Sequence, residues 1–304
     1  MSQRVFVTGA SGYLGLAITR RLVTQGFEVH GLTRTPEHGR RIEAAGASAV
    51  LGDLADPAGI AGPLRNADAV VHAAYDPAAD SARRDREALG AIREAVQDGR
   101  VRRIVYTSGV WVHGDTGGRV VDEATRPEPA ERVAWRPAHE EVALDMTSLG
   151  ATVVVMRPGM VYGGSRGYFG GWFREARDHG RIGYPGGAQR WNMVHVDDVA
   201  AAYWLALEHA TDGTRYLLVD ETRHTVSELA QAAARAAGVA AIAVSAEDLV
   251  RRSGSLGAAL LADSMATAAK ARRELGWAPL HASFVTEAEA LWETWQAETR
   301  ATVA

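Results

Sequence analysis

The chain has 304 residues, 47% apolar and 23% charged, with a formal net charge of −4. This composition predicts a folded, soluble protein with no electrostatic reason to bind nucleic acid. Cysteine is absent, which excludes a disulfide, a thiolate zinc site and a cysteine nucleophile. No run of 18 apolar residues exists, and a strand begins almost at once, so neither a membrane-spanning helix nor a signal peptide is expected, and the cytoplasm is the expected location.

Strand and helix signals alternate through the first half. Arg4–Thr8 is a short apolar run ending at a glycine. Tyr13–Thr24 places Leu14, Ala17, Ile18 and Leu22 on one helical face, with Gly26 as a stop signal. A strand at Glu28–Thr33, a helix at 36–45 and a strand at 47–51 follow. Next come a strand at Ala69–His72, a helix at Ser81–Gln97, a strand at Arg103–Thr107, a helix at 137–149 and a strand at 151–156. The strands are near-continuous runs such as Val5-Phe6-Val7 and Val153-Val154-Val155, the mark of strands covered on both faces. The fold class predicted is α/β: a doubly wound parallel sheet of Rossmann type.

Beyond residue 160 the alternation loosens. The glycine-rich stretch 163–171 leads to a helix at 172–179, then a strand at 190–196, a helix running to His209 and a strand at 215–219. Thr225-x-x-Glu228 forms a capping box for a helix reaching Ala237, and residues 247–295 read as mostly helical. Residues 1–160 are expected to bind a dinucleotide. Residues 161–304 are expected to bind substrate in the main, with a segment near 190–220 returning to the sheet.

Thr8-Gly9-Ala10-Ser11-Gly12-Tyr13-Leu14-Gly15 lies between the first strand and the first helix, where a diphosphate site belongs. Gly9 permits the tight turn, Gly12 lets phosphates approach the backbone, and Gly15 lets the helix pack on the sheet. The helix start presents N–H groups and a positive dipole end. At the end of the second strand stands Thr33-Arg34, with no acid before Glu37. A carboxylate there would select the ribose diol of NAD, whereas Arg34 suits the 2′-phosphate of NADP, so NADP(H) is favoured over NAD(H). Asp53-Leu54 follows the third strand, where a short acid can accept from an adenine amine. Ala73-Ala74 offers small residues where backbone must pass close to the cofactor.

With these pieces in place, the chain resembles the extended short-chain dehydrogenase/reductase family, of the NAD-dependent epimerase/dehydratase kind. The likeness also rests on Tyr106-Thr107-Ser108-Gly109, Arg157-Pro158-Gly159-Met160-Val161-Tyr162-Gly163, His195-Val196-Asp197-Asp198-Val199 and Leu275-Gly276-Trp277-Ala278-Pro279. The resemblance implies a nicotinamide cofactor, with Thr107 and Pro158 among its contacts, and a small-molecule substrate held between the sheet's C-terminal edge and the C-terminal region. A homodimer is the family habit. The family's tyrosine and lysine, spaced Tyr-x-x-x-Lys, are missing: the one lysine is Lys270, and none of the eight tyrosines stands four residues before it. Counting from Asp122-Glu123, Trp135 and His139 take the two places. Counting back from Glu140-Glu141, Arg132 and Arg136 take them. Both registers stay open. The catalytic hydroxyl's place falls on Gly109, with Ser108 one residue earlier.

The proton-handling candidates are therefore Ser108, His139, His113 and Tyr162. Trp111, Tyr168, Phe169 and Trp172 are expected to line a substrate mouth that favours an apolar or ring-containing molecule. His195 and Asp197 are expected to tie a helix start to the strand before it. The expected function is an NADP(H)-dependent oxidoreductase reducing a carbonyl. The alternatives are a nucleotide-sugar epimerase or dehydratase, a non-catalytic NADP(H) redox sensor, or a non-redox isomerase.

Overall fold

The computed structural model describes residues 3–75 and 80–303. The first half runs β1 (Arg4–Thr8), α1 (Tyr13–Thr24), β2 (Glu28–Thr33), α2 (Pro36–Ala44), β3 (Ser48–Leu51), α3 (Pro57–Arg65), β4 (Ala69–His72), α4 (Ser81–Gln97) and β5 (Arg103–Thr107). It continues through a short 3-10 turn, Val110–His113, to β6 (Val120–Val121), α5 (Arg136–Leu144) and β7 (Thr152–Pro158). The second half holds β8 (Met160–Tyr162), α6 (Gly167–His179), β9 (Arg181–Pro185), β10 (Met193–His195), α7 (Val196–His209), β11 (Thr214–Leu218) and α8 (Val226–Ala237). It closes with β12 (Ala240–Val244), α9 (Ala246–Leu260), β13 (Met265–Ala266), α10 (Ala269–Leu275) and α11 (Phe284–Val303).

Seven strands form one parallel sheet in the order β11-β7-β5-β4-β1-β2-β3. Successive side chains of a strand point to opposite faces, and the core divides accordingly. Val5, Val7, Val71 and Val105 join Ile18 and Leu22 of α1 and Tyr203 and Leu207 of α7. Phe6, Val70 and Ile104 join Leu64 of α3 and Leu89 and Ile92 of α4 on the other face. Each fully buried side chain of this size contributes about 1.5–3 kcal/mol, so the doubly covered sheet is the rigid base of the molecule. A third cluster, rich in Trp172, Phe173, Trp191, Phe284 and Trp295, holds the C-terminal elements together.

Several elements depart from the sequence expectation, among them the short strands β6, β8, β9, β12 and β13, none of which was expected. Helix α3 was not expected in a segment containing Gly59, Gly62 and Pro63; it forms because Asp56 caps Gly59 and because Ile60 and Leu64 are buried. Helix α6 starts at Gly167 rather than at 172, since burying Phe169, Trp172 and Phe173 outweighs about 1 kcal/mol per helical glycine. The segment expected as a strand at 190–196 is only Met193–His195, and it pairs with β8 instead of the main sheet. Within 190–220, β11 alone joins that sheet, as its edge.

Candidate active site

A doubly wound sheet leaves a crevice at the carboxyl ends of its strands where the winding reverses. Here that point lies between β1 and β4, and a cavity of about 800 Å³ opens there. Gly9, Ser11, Gly12, Tyr13, Leu14 and Gly15 line one end. Gly9 has φ +69°, and a Cβ on it would stand 2.7 Å from the Ala74 Cα; a Cβ on Gly15 would stand 2.1 Å from the Gly9 carbonyl oxygen. The glycines are therefore demanded by close backbone approach. Thr8 stays behind the wall, where its hydroxyl accepts from the Ala74 amide at 3.3 Å.

Helix α1 begins at Gly12 with no side-chain cap and no acid in its first turn, which leaves its N–H groups and positive end to an anion from the cavity. Arg34, Asp53, Leu54, Ala73 and Ala74 line the adjoining wall. This cradle fits the diphosphate and adenosine of a nicotinamide dinucleotide. Two residues brace it from the far side: Tyr13 donates to the Gly163 carbonyl at 2.7 Å, and Arg166 to the Ser11 carbonyl at 2.9 Å. Arg166 was not singled out in the sequence, and nothing short of the chain's return past residue 163 reveals it.

The opposite end of the cavity is walled by Thr107, Ser108, Trp111, Pro158, Met160 and Val161, with Tyr168 facing them. The residues of both registers left open by the sequence lie near it. Arg132 and Arg136 both line the cavity. The Arg136 guanidinium donates to the Thr107 carbonyl at 2.8 Å, lies 4.7 Å from the Trp135 ring and 5.1 Å from the Tyr75 ring. Trp135 is also on the wall, but His139 is not; it points behind α5. Of the two registers, one has only Trp135 on the cavity wall, and the other has both of its residues, Arg132 and Arg136, there. One helical turn on, buried Glu140 receives Arg157 Nε at 2.9 Å and Arg215 Nε at 3.2 Å.

The histidine candidates are buried off the cavity. His139 is 2% exposed, and its Nδ1 lies 2.7 Å from Asp85. Asp85 also meets His72 at 3.0 Å and accepts from the Tyr106 hydroxyl at 2.8 Å, while His72 reaches Thr8 at 2.7 Å. Burial opposes the Asp85 charge, but hydrogen bonds from His139 and His72 outweigh it and hold the carboxyl well below its usual range. His113 lies off the cavity, where its Nε2 accepts from Arg157 at 3.1 Å. Burial, with the Arg157 charge, lowers its pKa to about 4, so it is neutral at pH 7 and has no proton to give. Tyr162 is fully buried off the cavity against His195 and Phe284, and burial pushes its pKa far up. Ser108 alone among the four candidates lines the cavity, and its Oγ makes no hydrogen bond of ordinary geometry.

His195, not Asp197, caps α7: its Nδ1 accepts from the Asp197 amide at 3.2 Å. Burial, then the neighbouring His281, lowers its pKa to about 4. His195, Asp197 and His281 bring three potential ligand atoms within 4.8 Å, but the two imidazoles stack with centroids 3.3 Å apart and 19° between planes. Near-parallel rings aim their lone pairs alongside each other and not at a common ion. The depressed histidines have a consequence for stability. Unfolded histidines take up protons below about pH 6.5, whereas His113 and His195 in the fold do so only near 4. Between those values unfolding binds about two extra protons, so stability is highest above pH 6.5 and falls on acidification. Urea midpoints measured from pH 7 to pH 4 are expected to drop through this window, and His113→Gln with His195→Gln to flatten the slope. A midpoint unchanged between pH 7 and pH 5 contradicts this.

Of the four expected mouth aromatics, Trp111 and Tyr168 line the cavity, whereas Phe169 and Trp172 are 2% and 3% exposed within the third cluster. Tyr75, Trp135, Met160 and Val161 complete the wall without having been named from the sequence as substrate contacts.

A family model described as the NAD dependent epimerase/dehydratase family matches residues 5–218. The chain belongs to that family. An uncharacterised protein of Schizosaccharomyces pombe is 29% identical over 291 residues, covering 93% of this chain and 97% of its own. A 4-hydroxy-2-methyl-3-oxo-4-farnesyl-3,4-dihydroquinoline-1-oxide ketoreductase of Stigmatella aurantiaca is 30% identical over 227 residues, covering 71% and 68%. The Thermus thermophilus UDP-glucose 4-epimerase complex with NAD superposes with a TM-score of 0.82 at 23% identity, over 97% of this chain and 99% of that one, a likeness of fold. Family and reductase relatives together make this an NAD(P)-dependent enzyme of oxidoreductase type. No helix among the described residues is long and apolar enough to cross a membrane.

Proposed function

We propose that the protein is an NADP(H)-dependent reductase acting on the carbonyl of a small apolar or ring-containing substrate. The observation that carries this reading is the single cavity, which joins a glycine-turn cradle at one end to a wall of Trp111, Trp135, Tyr168, Met160 and Val161 at the other. The reductase relative supports the same chemistry. Aromatic and aliphatic side chains favour a ring or alkyl body over a sugar, which needs many hydrogen-bond partners.

The turn from Gly9 to Gly15, braced from behind by Thr8, would hold the diphosphate, Arg34 the 2′-phosphate, Asp53 and Leu54 the adenine, and Ala73, Ala74, Thr107 and Pro158 the nicotinamide half. NADPH, when bound, supplies a hydride. Ser108 is the residue assigned to polarise the substrate oxygen, because it alone of the four proton-handling candidates lines the cavity. His139 acts through Asp85 and Tyr106 and has a positioning role, as it reaches no part of the cavity.

The test incubates the protein with NADPH and a panel of aromatic and alkyl ketones and aldehydes. Substrate-dependent loss of nicotinamide absorbance is expected, lowered about 10²-fold in kcat by Ser108→Ala. Turnover without any nicotinamide cofactor, or none across the panel, would sink the reductase reading.

A further inference from the structure

We propose that the substrate carries a carboxylate a few bonds from its carbonyl, and that Arg132 and Arg136 bind it. This rests on the reductase reading of the same cavity.

Arg136 is 7% exposed, yet no carboxylate among the described residues lies within ion-pair distance of it or of Arg132. The chain treats its other deeply buried guanidinium differently: Arg157, 2% exposed, is clasped by Glu140. A buried cation without an anion costs several kcal/mol. The compensation for Arg136 is one hydrogen bond to the Thr107 carbonyl, the faces of Trp135 and Tyr75, and the charge of Asp85 beyond ion-pair distance. The ring faces offset part of that cost, and they leave the edge of the guanidinium, with its remaining N–H groups, unmatched. Asp85, the acid in the same wall, spends its oxygens on His72, Tyr106 and His139. Arg132 stands four residues back and faces the same cavity, so a second positive charge adds to the first.

The cofactor's phosphates do not satisfy this pair. A dinucleotide puts its diphosphate at the glycine turn and the start of the first helix, on the β1–β2 side where Arg34 and Arg166 line the wall. Arg136 is anchored at the end of β5, two strands from β1 on the other side. What remains for the two guanidiniums is the substrate, and their planar forks match a carboxylate. Trp111, Tyr168, Met160 and Val161 take the rest of the molecule. The class is a keto acid with an apolar or aromatic substituent.

The test uses probes that cannot be reduced: 3-phenylpropanoate and its neutral amide, titrated by calorimetry into NADP+-loaded protein. The acid is expected to bind at least about tenfold more tightly than the amide. Arg132→Gln and Arg136→Gln are each expected to weaken the acid about tenfold and to leave the amide unchanged. Equal binding of acid and amide by the native protein overturns the proposal. So does Arg132→Gln, shown folded by circular dichroism, with the acid's affinity intact. Arg136→Gln that weakens NADP+ alone reassigns that side chain to the cofactor and also overturns it. The two readings fail separately: binding of the acid with no ketone ever reduced removes the reductase, while neutral ketones reduced as readily as keto acids remove the carboxylate clamp.

Discussion

Arg34→Glu is expected to reverse the cofactor preference, weakening NADPH at least about 100-fold while leaving NADH as tight as before or tighter. Arg34 is exposed at the end of β2 and lines the cavity beside Asp53. Along the chain no acid follows β2 before Glu37, which lies in α2. A charge-assisted contact to a 2′-phosphate is worth about 1.5–3 kcal/mol. A glutamate removes it, adds repulsion, and supplies the acceptor that the diol of NAD uses. Because the site is open to solvent, the preference for NADPH proposed for the native protein should itself shrink as salt rises. Dissociation constants for both nucleotides, measured by nicotinamide fluorescence at two ionic strengths, check this. An unchanged ratio in the variant means that Arg34 does not read the phosphate.

The second large effect belongs to Glu140. It is fully buried and receives hydrogen bonds from Arg157 and Arg215, while Arg157 also reaches His113. Burial works against its charge, and the Arg157 contacts outweigh burial and hold its pKa low. Glu140→Gln keeps the shape but leaves the buried Arg157 cation without an anion, which costs about 3–5 kcal/mol. Urea unfolding at pH 7 should show that loss. Glu140→Leu combined with Arg157→Met should recover most of it, since no uncompensated charge then remains. The pair ties α5 to β7, so the cavity should loosen as well, and NADP+ should bind more weakly to Glu140→Gln. A loss under 1 kcal/mol would show that the pair does not hold α5 in place.

The elements that could be read directly were those whose pattern is local. The strands β1, β4 and β5 are short runs of consecutive apolar residues, and each lies where expected. The capping box at Thr225 and Glu228 is present with both of its hydrogen bonds. The glycine turn was legible because its chemistry is carried by adjacent residues. The candidates for proton transfer were not, because the side chain type says nothing of the direction in which it points. His113, His139 and Tyr162 are plausible acids by type, and each is buried off the cavity. A signal did exist for α5: Glu140 follows Arg136 by four residues, so the two share one face of that helix, whereas Arg132 lies in the short 3-10 turn before it.

By itself the sequence determined the alternation of strand and helix, the glycine turn between β1 and α1, the lack of an acid between β2 and Glu37 and the absence of a Tyr-x-x-x-Lys spacing. These depend on residue type and spacing along the chain. Only the tertiary structure decided that Arg132 and Arg136 face the cavity while His139 turns inward to Asp85. It also decided that Phe169 and Trp172 belong to a core while Tyr75 and Trp135 belong to a wall. The reason is that a cavity is made by segments far apart in the chain, and which face of each one opens on it is settled by packing against neighbours that spacing does not name.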